Sequence, residues 1–173
     1  IDTGGVTILG RTLSLGPDRR IDYAAVGEDA LLRYLLAGQA YLLSSESEPG
    51  MVKEVLLATA RSVCSARERD LAVPSELLPS SLMAPHPLSL RLIRWVRLLS
   101  GSVGRSLKPE EVHLVVRATH IQARFLSRRI EYETDGNHLI DNGVALVYAG
   151  ALLGLTAEAS ASGQPPSGTA ARA

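Results

Sequence analysis

Hydrophobic positions along this chain follow two different periods. Over residues 1–22 they come in short β-branched or alternating stretches: "VTILG" ends on a glycine, and "RTLSL" alternates polar with apolar until "GPD" interrupts it. This pattern predicts a short pair of strands. From about Asp29 the spacing becomes three to four residues, the helical period. Leu31, Leu32, Leu35, Leu36 and Leu42 fall on one broad face, and "SSESEPG" at 44–50 closes the segment. A second helix is predicted over roughly 50–68, with Val52, Val55, Leu56, Ala58 and Val63 buried. "VPSELLPSSLMAPHP" (73–87) reads as a long proline-rich loop of the kind that is functional or drapes over a surface.

The next helix runs from near Leu88 to about Leu99, where "SGSVG" stops it. Pro109 followed by Glu110 and Glu111 marks another start, with proline in the first turn and acids at the positive helix end. On a helical projection Leu114, Ala118, Ile121 and Phe125 form its apolar centre. His113, Arg117, His120, Arg124, Arg128 and Glu131 form a narrower polar stripe opposite, which reads as a solvated face. The last helix opens at "GNHLIDNGVALVYAGALLG" (136–154) and is expected to end near Gly154. Gly143, Ala145, Ala149, Gly150 and Gly154 are small enough there to let neighbouring helices approach closely. Residues 155–173, rich in alanine, serine, glycine and proline, are expected to form a disordered tail. The whole predicts a mainly α fold: a short N-terminal β segment over 1–22, packed helical hairpins over 23–154, then the tail.

Composition narrows the chemistry. With 173 residues, 46% hydrophobic and 21% charged, the chain suffices for one cored domain or a piece of a larger one. Lys plus Arg equals Asp plus Glu at 18 each, so no global field draws it to nucleic acid or an acidic membrane. Any anion site must come from local arrangement. No apolar run reaches the roughly 20 residues of a membrane span, and neither nucleic acid nor membrane is expected as a partner. The single cysteine, Cys64, excludes an internal disulfide framework. The chain opens on Ile1 without a charged and then apolar leader, so it reads as internal to a longer product. A Gly-rich phosphate loop, a G-x-S-x-G elbow and a cysteine pair are all missing. His113 and His120 stand seven apart without further ligands at matching spacing, so neither metal nor cofactor is expected.

Two readings of the final helix stay open. Asn137 is a good N-cap whose amide could satisfy an orphan backbone N–H. Alternatively, His138 and Asn142, four apart, share a face, and a helix N-terminus with amide and imidazole donors suits a carboxylate. Asp141 could hold a histidine proton in place or be solvated. Arg91, on the edge of an apolar arc one turn before Trp95, could grip a carboxylate or sulfate bidentately or simply snorkel. His86, between two prolines, is expected in a rigid extended loop.

Two stretches together resemble a known family. "PHPLSLRLIRWVRLL" is similar to a tryptophan–x–proline–tyrosine–proline–x–serine–leucine–arginine segment of the heparinase II/III polysaccharide lyases. "HIQARFLSRRIEYETDGNHLIDNGVALVYAGALLG" resembles that family's helix pair around a Gly-Asn-His-Leu signature, and the similarity spans about residues 6–154. The resemblance implies an incomplete α/α toroid, followed in full-length members by a β-sandwich. It implies β-elimination of uronate-containing acidic polysaccharides and a periplasmic or secreted setting. It makes Asn137 and His138 catalytic, the asparagine neutralising the substrate carboxylate, and matches Arg91 to a family arginine that could contact substrate; His86 and Asn142, read from their own positions, join Arg91 as expected substrate contacts. The chain departs from the family pattern in places. Ala37-Gly38 stand where members carry a His-Tyr pair, and His86 stands at the usual tyrosine. The family's catalytic tyrosine and second histidine fall beyond Ala173, and Tyr148 does not replace them, so the chain alone is expected to be inactive. A non-catalytic helical module that binds acidic glycans, or a plain scaffold, is the competing expectation.

Overall fold

The computed structural model describes residues 5–14, 16, 26–43, 49–68, 80–133 and 136–161. Much of the proline-rich 73–87 stretch and the end of the predicted tail lie outside them.

Strands β1 (Gly5–Ile8) and β2 (Arg11–Ser14) pair antiparallel, with Val6 opposite Leu13 and Ile8 opposite Arg11. Leu9 and Gly10 join them at φ 52° and 73°. Positive φ at both turn residues is the hairpin geometry that matches strand twist, and Gly10 adopts it without a Cβ penalty. Val6 reaches from this hairpin into the main core.

Helix α1 (Ala30–Gly38) starts where the Asp29 carboxylate accepts the Leu32 N–H at 3.0 Å. It stops earlier than the leucine pattern suggests. Gln39 turns left-handed at φ 56°, and a 3-10 turn (Ala40–Leu43) carries the chain on. The reason is tertiary: the buried Gln39 amide accepts from Trp95 Nε1 at 2.7 Å and donates to Thr59 Oγ1 at 2.8 Å. Leu31, assigned to the buried face by sequence, is 58% exposed. Helix α2 (Pro49–Glu68) buries Val52, Val55, Leu56, Ala58 and Val63 as the periodicity requires.

Helix α3 (Pro85–Ser100) begins three residues before the predicted start. Both prolines fit its first turn, where backbone N–H groups lack intrahelical partners anyway. His86 is therefore helical and buried rather than held in an extended loop. The one-turn helix α4 (Ser102–Ser106) fills the expected break. A Cβ on Gly104 would lie 1.8 Å from the Leu99 carbonyl oxygen, so only glycine fits there.

Helix α5 (Pro109–Leu126) opens with the Lys108 N–H donating to the Glu111 carboxylate at 2.7 Å. Its buried face is turned from the predicted one: Val115, Ala118, Thr119, Gln122, Ala123 and Leu126 are covered, while Leu114, Ile121 and Phe125 are half-buried. The rotation follows from packing on two sides, against α2 and against α3 and α6. Helix α6 (Asn137–Ala161) runs past Gly154, so residues 155–161 are helical rather than tail. Ala145 and Ala149 face the protein, whereas a Cβ on Gly143, Gly150 or Gly154 would meet nothing. Those three glycines do not serve helix packing within the described residues. With no charge between Asp141 and Glu158, this helix is long and apolar enough by length and composition to cross a membrane, contrary to the sequence expectation.

The protein is mainly helical with a two-stranded antiparallel sheet. α3 sits at its centre, touching α1, α5 and α6. A large core gathers Leu32, Leu36, Leu56, Trp95 and Val115; a smaller one joins Leu88, Leu92, Leu126 and Ala145 where α3 meets α5 and α6.

Candidate functional site

The first turn of α3 and the first turns of α6 cross, and their polar side chains meet. His86 and His138 lie face to face, ring centroids 3.8 Å apart and planes 14° apart. His86 Nε2 donates to Asp141 Oδ2 at 2.7 Å. A carboxylate has no proton to give, so Nδ1 of the neutral ring is left to accept, and it takes the Tyr34 hydroxyl of α1 in a short contact. His138 Nδ1 approaches Glu131 Oε2 at 3.3 Å, both atoms shielded from solvent. The His138 side chain is nevertheless 39% exposed, so its open surface lies away from Nδ1. His86 is nearly covered, at 10%, and Asp141 keeps 30%. Two imidazoles are thus stacked, each facing its own carboxylate, with a phenol on the inner one.

Burial first, then the nearby Asp141 and Glu131 carboxylates, push the Tyr34 hydroxyl above its ordinary range, and Arg94 opposes them. The Arg94 guanidinium lies half-buried with Nη1 donating to the Gly38 carbonyl. Its desolvation, chiefly, lowers its own pKa.

The predicted site residues divide sharply. His86 and His138 come together. Asp141 does hold a histidine, but it is His86 rather than its neighbour His138. Asn137, in the first turn of α6 after Gly136 (φ 98°), is exposed at the same end. Arg91 and Asn142 need correction as substrate contacts, because both are fully buried. Arg91 donates from Nε to Gln122 Oε1 at 2.7 Å, and from Nη1 to the carbonyls of Ala37 (2.9 Å) and Leu82 (2.8 Å). It ties α3 to α1, α5 and the preceding turn, which desolvates it completely. Asn142 accepts from Ser89 Oγ at 3.1 Å and donates to the His138 carbonyl, a seam between α3 and α6. The two small residues Ala37-Gly38 have their carbonyls taken by Arg91 and Arg94.

Tyr34 was missed. Its signal in sequence is faint: one phenol in a leucine-rich helix, 52 residues from the imidazole it binds. Glu131 was placed on the α5 polar stripe, but it lies beyond that helix and turns to His138. Among the described residues no group of three or more His, Cys, Asp or Glu is arranged to hold a metal ion. The cluster suits proton transfer: a hydroxyl held by an imidazole, the imidazole oriented by a carboxylate. No family model matches this chain, and no curated protein and no solved structure matches it.

Proposed function

We propose that this chain is the helical, toroid-forming part of a heparinase II/III-like polysaccharide lyase that acts on uronate-containing acidic polysaccharides by β-elimination. The observation that supports this reading is the meeting of the two family-like segments. "PHP" and "GNH" lie about fifty residues apart, yet His86 stacks on His138 and bonds Asp141 of the same helix.

Removing the C5 proton beside a uronate carboxylate builds charge on a group that is already negative, so donors aimed at that carboxylate lower the barrier. In this reading the Asn137 amide and the open side of His138 supply them. Tyr34 moves the proton. Its raised pKa keeps the hydroxyl protonated at rest, so its oxygen takes the C5 proton only as its own passes to His86 Nδ1. Asp141 stabilises the imidazolium that forms. The C5–H electron pair becomes the C4–C5 double bond, and the C4–O4 pair leaves on oxygen. That oxygen then receives the proton back through Tyr34. The resemblance assigns the acid–base step to another tyrosine, and this reading gives that step to Tyr34 instead.

The test is an NMR titration of the imidazole protons with oligouronate. Shifts at His138 and His86 that vanish in Asn137→Ala are expected, together with unsaturated-uronate absorbance when the full gene product is assayed. Unmoved imidazole signals and no elimination on any uronate polymer would leave the competing reading, a helical scaffold.

A further inference from the structure

Helix α6 turns one face to the protein and leaves the other bare. Asn142, Ala145 and Ala149 are buried, whereas Leu139, Ile140, Val144, Val147, Tyr148 and Leu155 are exposed, Val147 by 70%. Asp141 and Glu158 bracket a run without a charged side chain. From Ile140 to Leu155 the helix rise makes the bare strip about 22 Å long. Scattered apolar residues are ordinary on a protein surface, but a contiguous patch of this length marks a contact. Two ordinary explanations of such a helix fail. A core helix is mostly covered, yet only 17% of this apolar stretch is buried among the described residues. A leader precedes the folded chain, and α6 follows five packed helices. A protein partner meets a polar rim and hydrogen-bonding groups. Of the exposed residues from Gly143 to Ala157, Tyr148 alone carries a polar side-chain atom.

We infer that α6 docks on a membrane, lying along the bilayer surface with its bare face among the acyl chains and the preceding connection at anionic headgroups. That connection carries exposed Arg128 and Arg129 and, at 72% exposure, Tyr132; Glu133 is the exposed acid beside them. The Glu131 carboxylate, 3.3 Å from His138 Nδ1, holds the connection at the first turn of α6, which also carries Leu139 and Ile140. Tyrosine rings settle at headgroup level, and arginines near the surface are drawn to anionic lipid. The helix lies on the bilayer rather than crossing it, because its other face is tied down by polar groups. Asn142 accepts from Ser89 and Asp141 from His86. Crossing would break these bonds or carry them into hydrocarbon, where unpaired polar groups are costly. The inference goes beyond the elimination chemistry and stands without it, since no residue of the bare face belongs to the Tyr34–His86–His138 cluster.

Co-sedimentation of the whole chain with vesicles of mixed phosphatidylcholine and phosphatidylserine tests this. The parent should pellet with them. The double variant Ile140→Lys, Val147→Lys should bind at least roughly tenfold more weakly, because two apolar side chains leave the hydrocarbon and charges replace them. Both positions are exposed, so its urea midpoint should match the parent's. The added positive charge would strengthen a purely electrostatic attachment, so unchanged or tighter binding of this variant overturns the inference. Arg128→Gln with Arg129→Gln should weaken binding to the mixed vesicles and leave binding to phosphatidylcholine alone as it was. A bimane on Val147→Cys, the native Cys64 being buried, should be quenched by nitroxide-labelled acyl chains. His138→Ala should bind vesicles as the parent does, which separates docking from the catalytic reading. No pelleting of the parent overturns the inference. In that event, a lipid-free dimer that Val147→Lys dissociates would give the face to a second copy. Binding of single-stranded DNA that the arginine pair supplies would give the connection to nucleic acid.

Discussion

One helix carries two buried polar groups that behave in opposite ways. At the middle of α3, Arg91 is fully covered: Nε and Nη1 donate to Gln122 and to two backbone carbonyls, and Nη2 faces the Met83 sulfur. Just behind it Trp95 and Gln39 form a similar closed pair. At the start of the same helix, His86 lies in a chain of titratable groups, Tyr34 on one side and Asp141 on the other, which reaches solvent through Asp141 and His138. The first arrangement fixes geometry and has nothing left to give a ligand. The second has groups that can exchange protons and a surface where something can bind. Burial with complete satisfaction marks structure, and satisfaction that ends at an open edge marks chemistry.

The comparison makes graded predictions. Removing the closed group should cost most. Arg91→Ala strands three buried acceptors and should lower stability by about 3 kcal/mol or more, read from the urea midpoint. A variant within about 0.5 kcal/mol of the parent would mean that the arginine is not the staple described. Trp95→Phe keeps most of the apolar bulk but leaves Gln39 Oε1 unpaired, so about 2 kcal/mol is expected by the same measurement.

At the open site the balance should reverse, with small effects on stability and large ones on function. Tyr34→Phe should change the midpoint at neutral pH by about 1 kcal/mol or less, yet abolish the proton transfer proposed above. It also has a pH signature. The folded-state pKa of Tyr34 is raised, so its contribution is complete below the unfolded value, about 10, and is lost as pH rises towards the folded one. The parent should lose stability in that alkaline range faster than Tyr34→Phe; parallel curves would contradict the burial of this hydroxyl.

The smallest effect is expected far from both groups. Hydrogen bonds from Lys53 and the Lys108 N–H hold the Glu111 carboxyl below its ordinary range. A depressed acid stabilises above its unfolded pKa, about 4.3, and the benefit fades as pH falls through the folded value. Glu111→Gln should cost under about 1 kcal/mol at neutral pH and flatten the acid limb of the stability curve.

Reading from sequence succeeded where one element's own residues decide the outcome. The strand pair, the extent and buried face of α2, and the exposed stripe of α5 follow from local periodicity. It failed where a distant partner intervenes. Gln39 breaks α1 because Trp95 and Thr59 claim its amide, and the buried face of α5 is turned because helices press on it from two sides. At the site, "GNH" and "PHP" were each legible as candidates, and Asp141 as a possible histidine partner. That Asp141 would choose His86, that Tyr34 would join them, and that Arg91 and Asn142 would be sealed inside was not.

The sequence by itself determined that this protein is built of helices after a small hairpin, and which residue types could do chemistry. Period and turn chemistry are properties of neighbouring residues, so they can be read without a fold. Only the tertiary structure decided which polar groups became staples and which became a proton-exchanging cluster. That choice depends on how α3 crosses α1, α5 and α6, because burial and partnership are set between side chains dozens of residues apart.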